Sequence, residues 1–225
     1  MQAPKRIYLT PTPIRIWHWL HAFGIVILCV TGAEIRFPEY APILGNYKAA
    51  VRVHNAAGIV VAISFFIWFL YYGLVSRTLA KLYIPTREDL RRGIVRQAAY
   101  YFFFFFRGTR PNPHHATPED KFNPLQKTAY AGIMFIFVPL VVVTGLLLLN
   151  LDPLRDLVIS VGGLTFLTAV HWILGCIFGA FVIAHVYLAT LGHTPFAHFV
   201  PMWTGWEEVE VHDQGDHEVE RQGAA

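Results

Sequence analysis

Five histidines lie within long apolar stretches of the sequence: His18, His21, His54, His171 and His185. Ionisable side chains in such surroundings are costly, and they normally face the interior of a helix bundle and mark function. Neutral imidazole offers a lone pair that binds haem iron, and it also carries protons. Taken singly, each histidine is explained equally well by a functional role or by a structural hydrogen bond inside the bundle. Only the spacing between the histidines distinguishes these two interpretations.

The most informative spacing is that of His171 and His185, which are 14 residues apart. On an α-helix this separation leaves the two side chains about 40° from eclipsed and about 21 Å apart along the axis. His54 begins an apolar stretch at the depth of His171, and His18 lies near the start of another at the depth of His185. The sequence therefore predicts two couples, His54 with His171 and His18 with His185, each able to clamp one haem b through its iron.

The elements that must position these histidines are four apolar stretches, each long enough to cross a hydrocarbon core of about 20 helical residues. At 55% hydrophobic and 15% charged residues, the chain is also more apolar than a soluble domain. We therefore predict an all-α fold, an integral membrane four-helix bundle. The predicted spans are Ile14–Ala33, His54–Val75, Thr128–Leu149 and Leu164–Leu191.

The basic residues predict the orientation of the bundle. The N-terminal segment, the loop between the second and third spans and the C-terminal segment hold 14 of the 18 Lys and Arg residues. Because positive charge prefers the cytoplasmic side, both termini are expected there. The basic residues are expected to meet lipid head groups, and no nucleic-acid-binding motif is present.

Two segments outside the spans carry further signals. Thr86-Arg-Glu-Asp89 has the form of a helix N-cap, and it predicts an additional interfacial helix on the inner surface. The aromatic run Ala98–Phe106 that follows is too short to span the bilayer but suits its interface. We divide the chain into a four-helix transmembrane dihaem cytochrome b domain, residues 1–195, and a cytoplasmic acidic tail, residues 196–225. The tail composition cannot build a core.

Other residues have more than one interpretation each. Arg15 precedes His18 by three residues and Arg52 precedes His54 by two, so both guanidinium groups can pair with haem propionates or with lipid phosphates. His21, one turn deeper than His18, can be an alternative axial ligand, a hydrogen-bond donor to a quinone or a proton carrier. Three glycines can admit a flat macrocycle or simply allow helices to pack. They are Gly58, Gly175 and Gly179.

The string Arg15-Ile-Trp-His-Trp-Leu20, followed by Thr31-Gly32, Arg52-Val-His54, His171 and His185, resembles the dihaem cytochrome b subunits of nickel-iron hydrogenases and formate dehydrogenases. That superfamily includes bacterial cytochrome b561 and thiosulfate-reductase-type subunits, and the resemblance covers all four spans, residues 10–195. Three further strings resemble the thiosulfate-reductase-like branch more closely: Phe122-Asn-Pro-Leu-Gln-Lys-Thr-Ala-Tyr130, Gly192-His-Thr-Pro195 and Met202-Trp-Thr-Gly-Trp-Glu207.

The resemblance implies an electron-transfer subunit of the bacterial inner membrane with two non-covalent haems b. One haem would exchange electrons with a periplasmic iron-sulfur or multihaem c-type cytochrome subunit, and the other with menaquinone or ubiquinone. His21, with Arg15, is our choice for the quinone end. The alternative is a self-contained b561-type quinone oxidoreductase that oxidises a small reductant such as superoxide.

A third possibility is a haem-free carrier whose histidines relay protons. Proton paths usually combine carboxylates with histidines, and the four spans contain no Asp or Glu apart from Glu34 at the edge of the first. Haem is therefore the better explanation of the histidines.

Overall fold

The structure is a computed structural model that describes residues 5–105, 107–109, 112–114, 122–191, 194 and 196–209. Four of its helices are long and apolar enough to cross a membrane, which confirms the predicted all-α four-helix fold. In chain order the elements are β1 (Lys5–Tyr8), α1 (Thr12–Arg36), α2 (Tyr47–Val75), α3 (Leu79–Tyr83), α4 (87–104), α5 (Pro124–Leu149), α6 (Arg155–Ser160), α7 (Gly163–Ala189), α8 (Val200–Thr204) and β2 (Trp206–Val209).

The spanning helices α1, α2, α5 and α7 present apolar side chains outwards. Phe66, Ile67 and Ile183 are 60%, 64% and 74% exposed, and few residues of the four helices are buried. Such a surface is unfavourable in water and suits lipid, in which backbone polar groups must be satisfied within each helix. The chain is a multi-pass membrane protein.

The starts of α2 and α5 differ from the predicted bounds for local reasons. α2 begins at Tyr47, before the predicted start at His54, because the side chain of Asn46 caps it by accepting a hydrogen bond from the Lys48 N–H at 2.9 Å. α5 begins at Pro124, where Asn123 and Gln126 form a reciprocal capping box. Within α5 a π-helical turn, Ile133–Phe137, precedes Pro139, and such turns re-satisfy the backbone around a helical proline.

α4 is the additional helix that the Thr86-Arg-Glu-Asp89 motif predicts. The N–H of Thr86 donates to the Asp89 carboxylate at 2.8 Å, and the N–H of Asp89 donates to the Thr86 hydroxyl at 3.1 Å. Two contacts dock α4 on the start of α5: Asp89 lies 3.8 Å from the Lys127 ammonium, and a Cβ at Gly93 would lie 2.7 Å from Pro124 Cγ. The position of Gly93 therefore excludes a side chain.

The described residues form two compact units, one of which combines the two ends of the chain, up to Arg15 and from Val186 onwards. In this unit β1 pairs antiparallel with β2, with Tyr8 opposite Trp206. The N–H groups of Leu9 and Thr10 donate to the carbonyl of Gly205, whose positive φ of 88° favours glycine. Because the strands pair, both ends of the chain lie on the same side of the membrane.

Within the predicted tail, residues 200–204 form α8 and residues 206–209 form β2. β pairing of residues so distant in sequence has no local signal. The remainder of the tail, residues 210–225, lies outside the described residues.

The second unit, Ile16–His185, contains the five membrane histidines and is the part of the chain that bears on function.

Candidate functional site

The first pair of histidines joins α2 to α7. The imidazole rings of His54 and His171 lie with their centroids 6.3 Å apart and their planes at 73°. Both side chains are half-buried. The structure therefore brings together two residues that are far apart in sequence and that the spacing argument had placed at the same depth.

A threonine of α1 fixes the orientation of the His54 ring. The Thr31 Oγ1 atom lies 2.9 Å from His54 Nδ1 and 2.7 Å from the carbonyl oxygen of Ile27. A hydroxyl has one proton and a carbonyl can only accept, so the hydroxyl donates to Ile27 and accepts from Nδ1–H. The lone pair of His54 then resides on Nε2, which is free to bind a metal.

The same arrangement recurs around His171. The Thr144 Oγ1 atom, on α5, lies 2.9 Å from His171 Nδ1 and 2.8 Å from the carbonyl oxygen of Leu140. The proton of His171 is therefore also on Nδ1, and its Nε2 carries the lone pair. Thr31-Gly32 is among the residues that carry the family resemblance, whereas Thr144-Gly145 was not predicted. The available signal was a Thr-Gly pair repeated in the spanning helix before each of these two histidines.

The glycine of each Thr-Gly pair makes room for the imidazole. A Cβ at Gly32 would lie 3.4 Å from His54 Cε1, and a Cβ at Gly145 would lie 3.2 Å from His171 Cε1. The distance at Gly145 is tighter than an ordinary contact, and that at Gly32 is at the lower limit of one. Each ring is thus held between a hydroxyl at Nδ1 and a bare helix backbone beside Cε1.

The second pair joins α1 to α7. The centroids of His18 and His185 are 6.2 Å apart, with the ring planes at 53°. Phe181, one turn before His185, stacks on its ring at 5.7 Å. Since His171 and His185 lie on one helix, the two pairs are separated by about 21 Å along its axis.

The geometry of both pairs fits haem iron. A metal–imidazole nitrogen bond is about 2.0 Å long, so two imidazoles on opposite sides of one metal place their centroids about 6 Å apart. The observed distances of 6.3 and 6.2 Å match this arrangement. Each pair could supply two nitrogen ligands, the number that an iron already held by the nitrogens of a porphyrin needs. Within the described residues no group of three or more His, Cys, Asp or Glu side chains is placed to hold a metal.

His21 follows His18 by three residues on α1 and contacts Trp17 of the same helix. Its Nδ1–H donates to the carbonyl of Trp17 at 3.0 Å, and the Trp17 ring lies against it at 4.1 Å. Trp17 also stacks on Trp68 of α2 at 5.1 Å. Both His21 Nε2 and Trp68 Nε1 are buried without a hydrogen-bond partner in the described part of the chain. Where α1 meets α2, two buried polar atoms without a partner in the described residues therefore flank the Trp17 ring, one from each helix.

The two arginines singled out in the sequence have different environments. Arg15 donates to the Thr12 hydroxyl at 2.8 Å and to the carbonyl of Trp203 within the terminal unit. Arg52 is exposed and lies inside α2, because that helix begins at Tyr47. Because Arg52 and His54 are two positions apart on one helix, their side chains are separated by about 200° around the helix axis. Pairing of either guanidinium with a haem propionate stays a prediction.

The three glycines proposed to admit a macrocycle also differ from one another. A Cβ at Gly58 would meet Leu28 at 3.7 Å and one at Gly179 would meet Cys29 at 3.9 Å, both ordinary contacts. A Cβ at Gly175, one turn beyond His171, would meet no atom within 4 Å. Space for a flat group beside the first pair is therefore greatest at Gly175.

Among the side chains outside the spans, Tyr83 and Asp89 have shifted pKa values. Burial raises the pKa of the Tyr83 phenol, and the neighbouring Tyr72 and Tyr130 add to this effect. Burial also acts to raise the pKa of Asp89, but hydrogen bonds from the backbone and side chain of Thr86, with the charges of Lys127 and His114, hold it below its ordinary value. Asp89 therefore remains a carboxylate that caps α4.

Comparisons with known proteins place these features in a family. The family model described as prokaryotic cytochrome b561 matches residues 9–205. A protein named as cytochrome YdhU from Escherichia coli (strain K12) is 31% identical over 202 residues, which cover 90% of this chain and 75% of the relative.

Two further relatives match shorter stretches. A protein named as a Ni/Fe-hydrogenase B-type cytochrome subunit from Rhodobacter capsulatus is 34% identical over 87 residues, 35% of this chain and 33% of the relative. One so named from Azotobacter vinelandii is 41% identical over 64 residues, 26% of this chain and 27% of the relative. No solved structure matches the chain. With four membrane helices and a family match over nearly its whole length, the chain belongs to the prokaryotic cytochrome b561 family and is a b-type cytochrome of the membrane.

Proposed function

We propose that this chain is an electron-transfer subunit that carries electrons between a membrane quinone pool and a redox partner through two haems b. The His54–His171 pair would hold one haem, and the His18–His185 pair the other. One observation carries the proposal: two imidazole pairs, 6.3 and 6.2 Å between ring centroids, are each spaced for a single iron. The separation of the two pairs along α7 supports an electron route across the bilayer.

The side chains of this protein act by holding the orientation of the ligating imidazoles constant. When bound, haem supplies reversible one-electron chemistry. Thr31 and Thr144 keep the proton of the His54 and His171 imidazoles on Nδ1, so that Nε2 is the ligating atom of these two rings. The apolar helices exclude water from the ligands and accept the faces of the porphyrin.

The quinone end is proposed at His21, with menaquinone or ubiquinone as the substrate. Quinone redox chemistry moves protons together with electrons, so a proton acceptor beside the electron route is required. The Nε2 lone pair of His21 can accept a proton from a quinol hydroxyl and return it in the opposite direction. The buried N–H of Trp68, which has no acceptor within the described structure, offers a hydrogen bond to a quinone carbonyl.

The partner is proposed to bind at the side of His54 and His171, as a periplasmic iron-sulfur or multihaem c-type subunit. The loops on that side, residues 37–46 and 150–162, are short, so oxidation of an external substrate is assigned to another subunit. Relatives named as cytochrome subunits of Ni/Fe-hydrogenase support assembly with a redox enzyme. The basic-residue distribution supports an inner membrane location with both termini in the cytoplasm.

The test is a spectroscopic one on protein purified from haem-replete cells. Reduced-minus-oxidised spectra should show b-type bands, and haem extraction should give two haems per chain. In lipid nanodiscs, a menaquinol or ubiquinol analogue should reduce both haems. A colourless preparation would contradict the proposal.

Co-purification from native membranes then tests the partner. A bound iron-sulfur or multihaem c-type protein is the expected result. Superoxide-driven quinone reduction by the isolated chain would instead establish the self-contained oxidoreductase and overturn the assignment of a partner.

A further inference from the structure

Two threonines of the bundle interior are bonded to the two histidines of the same pair. Thr31 and Thr144 are only 2% and 8% exposed, and each hydroxyl lies 2.9 Å from the Nδ1 atom of its histidine. They belong to different helices, α1 and α5, and reach His54 and His171 from the spanning helix that precedes the one carrying each histidine. Neither threonine is in a position to ligate the iron itself.

We propose that Thr31 and Thr144 are positioning residues that fix the ring planes of His54 and His171 and set the reduction potential of the haem held between them. The inference rests on the proposed function, since it requires a haem at that pair. It adds two residues that determine a property of one haem and leave the other unaffected.

The direction of the effect follows from the hydrogen bonds. Each hydroxyl accepts from Nδ1–H while donating its own proton to a backbone carbonyl four residues earlier, at 2.7 Å to Ile27 and 2.8 Å to Leu140. An acceptor that is hydrogen-bonded to Nδ1–H makes the ring a stronger electron-pair donor at Nε2. Stronger donation favours ferric over ferrous iron, so both threonines lower the potential of this haem.

The ring planes are fixed by the same residues together with the adjacent glycines. Rotating the His171 ring away from its present plane would break the bond to Thr144, and Gly145 leaves room for the ring in that plane, since a Cβ there would lie only 3.2 Å from Cε1. His54 is held in the same way by Thr31 and Gly32. The 73° angle between the two planes is therefore a property imposed by the bundle.

The chain offers a matched control. Thr168 lies on α7, three residues before His171, and its hydroxyl also donates to a carbonyl four residues earlier, that of Leu164, at 2.9 Å. Its side chain is exposed on the helix surface. Thr168→Val thus removes the same hydroxyl and the same backbone bond as Thr144→Val without removing a bond to a histidine.

The experiment compares Thr31→Val, Thr144→Val and Thr168→Val in the full chain. Redox titration should show the potential of one haem shifted to more positive values in the first two variants and both potentials unchanged in the third. The ferric electron paramagnetic resonance signal of the same haem should change, because it depends on the angle between the ligand planes. Thr31→Ser and Thr144→Ser, which keep the hydroxyl, should restore both properties.

The outcomes separate this inference from the function on which it rests. Wild-type protein without haem would overturn the proposed function. Wild-type protein with two haems, and Val variants that match Thr168→Val, would overturn only the inference. Loss of one haem in a Val variant and its retention in the corresponding Ser variant would support the positioning role, whereas loss in both would overturn it.

Discussion

His54 of α2 and His171 of α7 face each other with ring centroids 6.3 Å apart, and each ring is held through Nδ1 by a threonine of the preceding spanning helix. The two helical hairpins thus contribute equivalent halves to this pair. The equivalence ends at the other pair: His185 follows His171 by 14 residues, but the residue 14 after His54 is Trp68. The second pair therefore takes His18 from α1.

Single substitutions of the four histidines should separate the two haems. His54→Ala and His171→Ala should each remove one haem and leave the other, because each deletes an axial ligand of one pair only. Haem extraction per chain measures the loss. His198→Ala, outside the four spans, should retain both haems, and the loss of both haems from His54→Ala or His171→Ala would contradict the pairing.

Gly145→Ala should disturb the His54–His171 pair more than Gly32→Ala. The added methyl would lie 3.2 Å from His171 Cε1 in the first case and 3.4 Å from His54 Cε1 in the second. Overpacking of this kind costs about 1–3 kcal/mol. Thermal loss of the haem absorbance should occur at a lower temperature in both variants, while Gly132→Ala, where a Cβ meets nothing within 4 Å, should behave as wild type. Equal behaviour of all three variants would show that the glycines do not confine the rings.

Gly175→Ala tests whether a macrocycle occupies the space beside His171. No protein atom lies within 4 Å of the added Cβ, so protein packing alone predicts no effect. A haem held by His54 and His171 predicts weaker haem retention, because the methyl meets the porphyrin one turn from its ligand. Competitive haem loss to an excess of apomyoglobin measures retention. Retention equal to that of wild type would locate the porphyrin elsewhere.

His21→Ala should slow quinol-driven haem reduction without changing the haem content. His21 is bonded to Trp17 and is not a member of either pair, so the ligands remain in place. Loss of a general base typically costs about 10²–10⁴-fold in rate. Stopped-flow reduction in nanodiscs by a menaquinol or ubiquinol analogue measures the rate, and dithionite reduction of the same sample provides the control. Loss of a haem from this variant would instead make His21 a ligand.

The start of α4 should loosen in acid. Because the pKa of Asp89 is held below its ordinary value of 3.8, the carboxylate stabilises the folded chain above that pH, and this contribution disappears as the pH falls through the lower, folded-state pKa. Asp89→Ala should remove the contribution at neutral pH, about 1 kcal/mol for a helix cap. Amide hydrogen exchange of residues 94–99 measures it. Asp156→Ala, in the first turn of α6 without a capping bond, should leave that exchange unchanged.

The sequence alone was sufficient for features that depend on local chemistry. Apolar length sets the four spans, because lipid requires about 20 satisfied helical residues. Helical periodicity places His171 and His185 on one face, since their relation depends only on the residues between them. The cap formed by Thr86 and Asp89 is equally local.

Only the tertiary structure decided which side chains meet between helices. Packing of α1 against α2 stacks Trp17 on Trp68, and packing of α5 against α7 brings Thr144 to His171. The pairing of β1 with β2 is of the same kind. These relations depend on contacts between residues far apart in the chain, which no local pattern of residue types specifies.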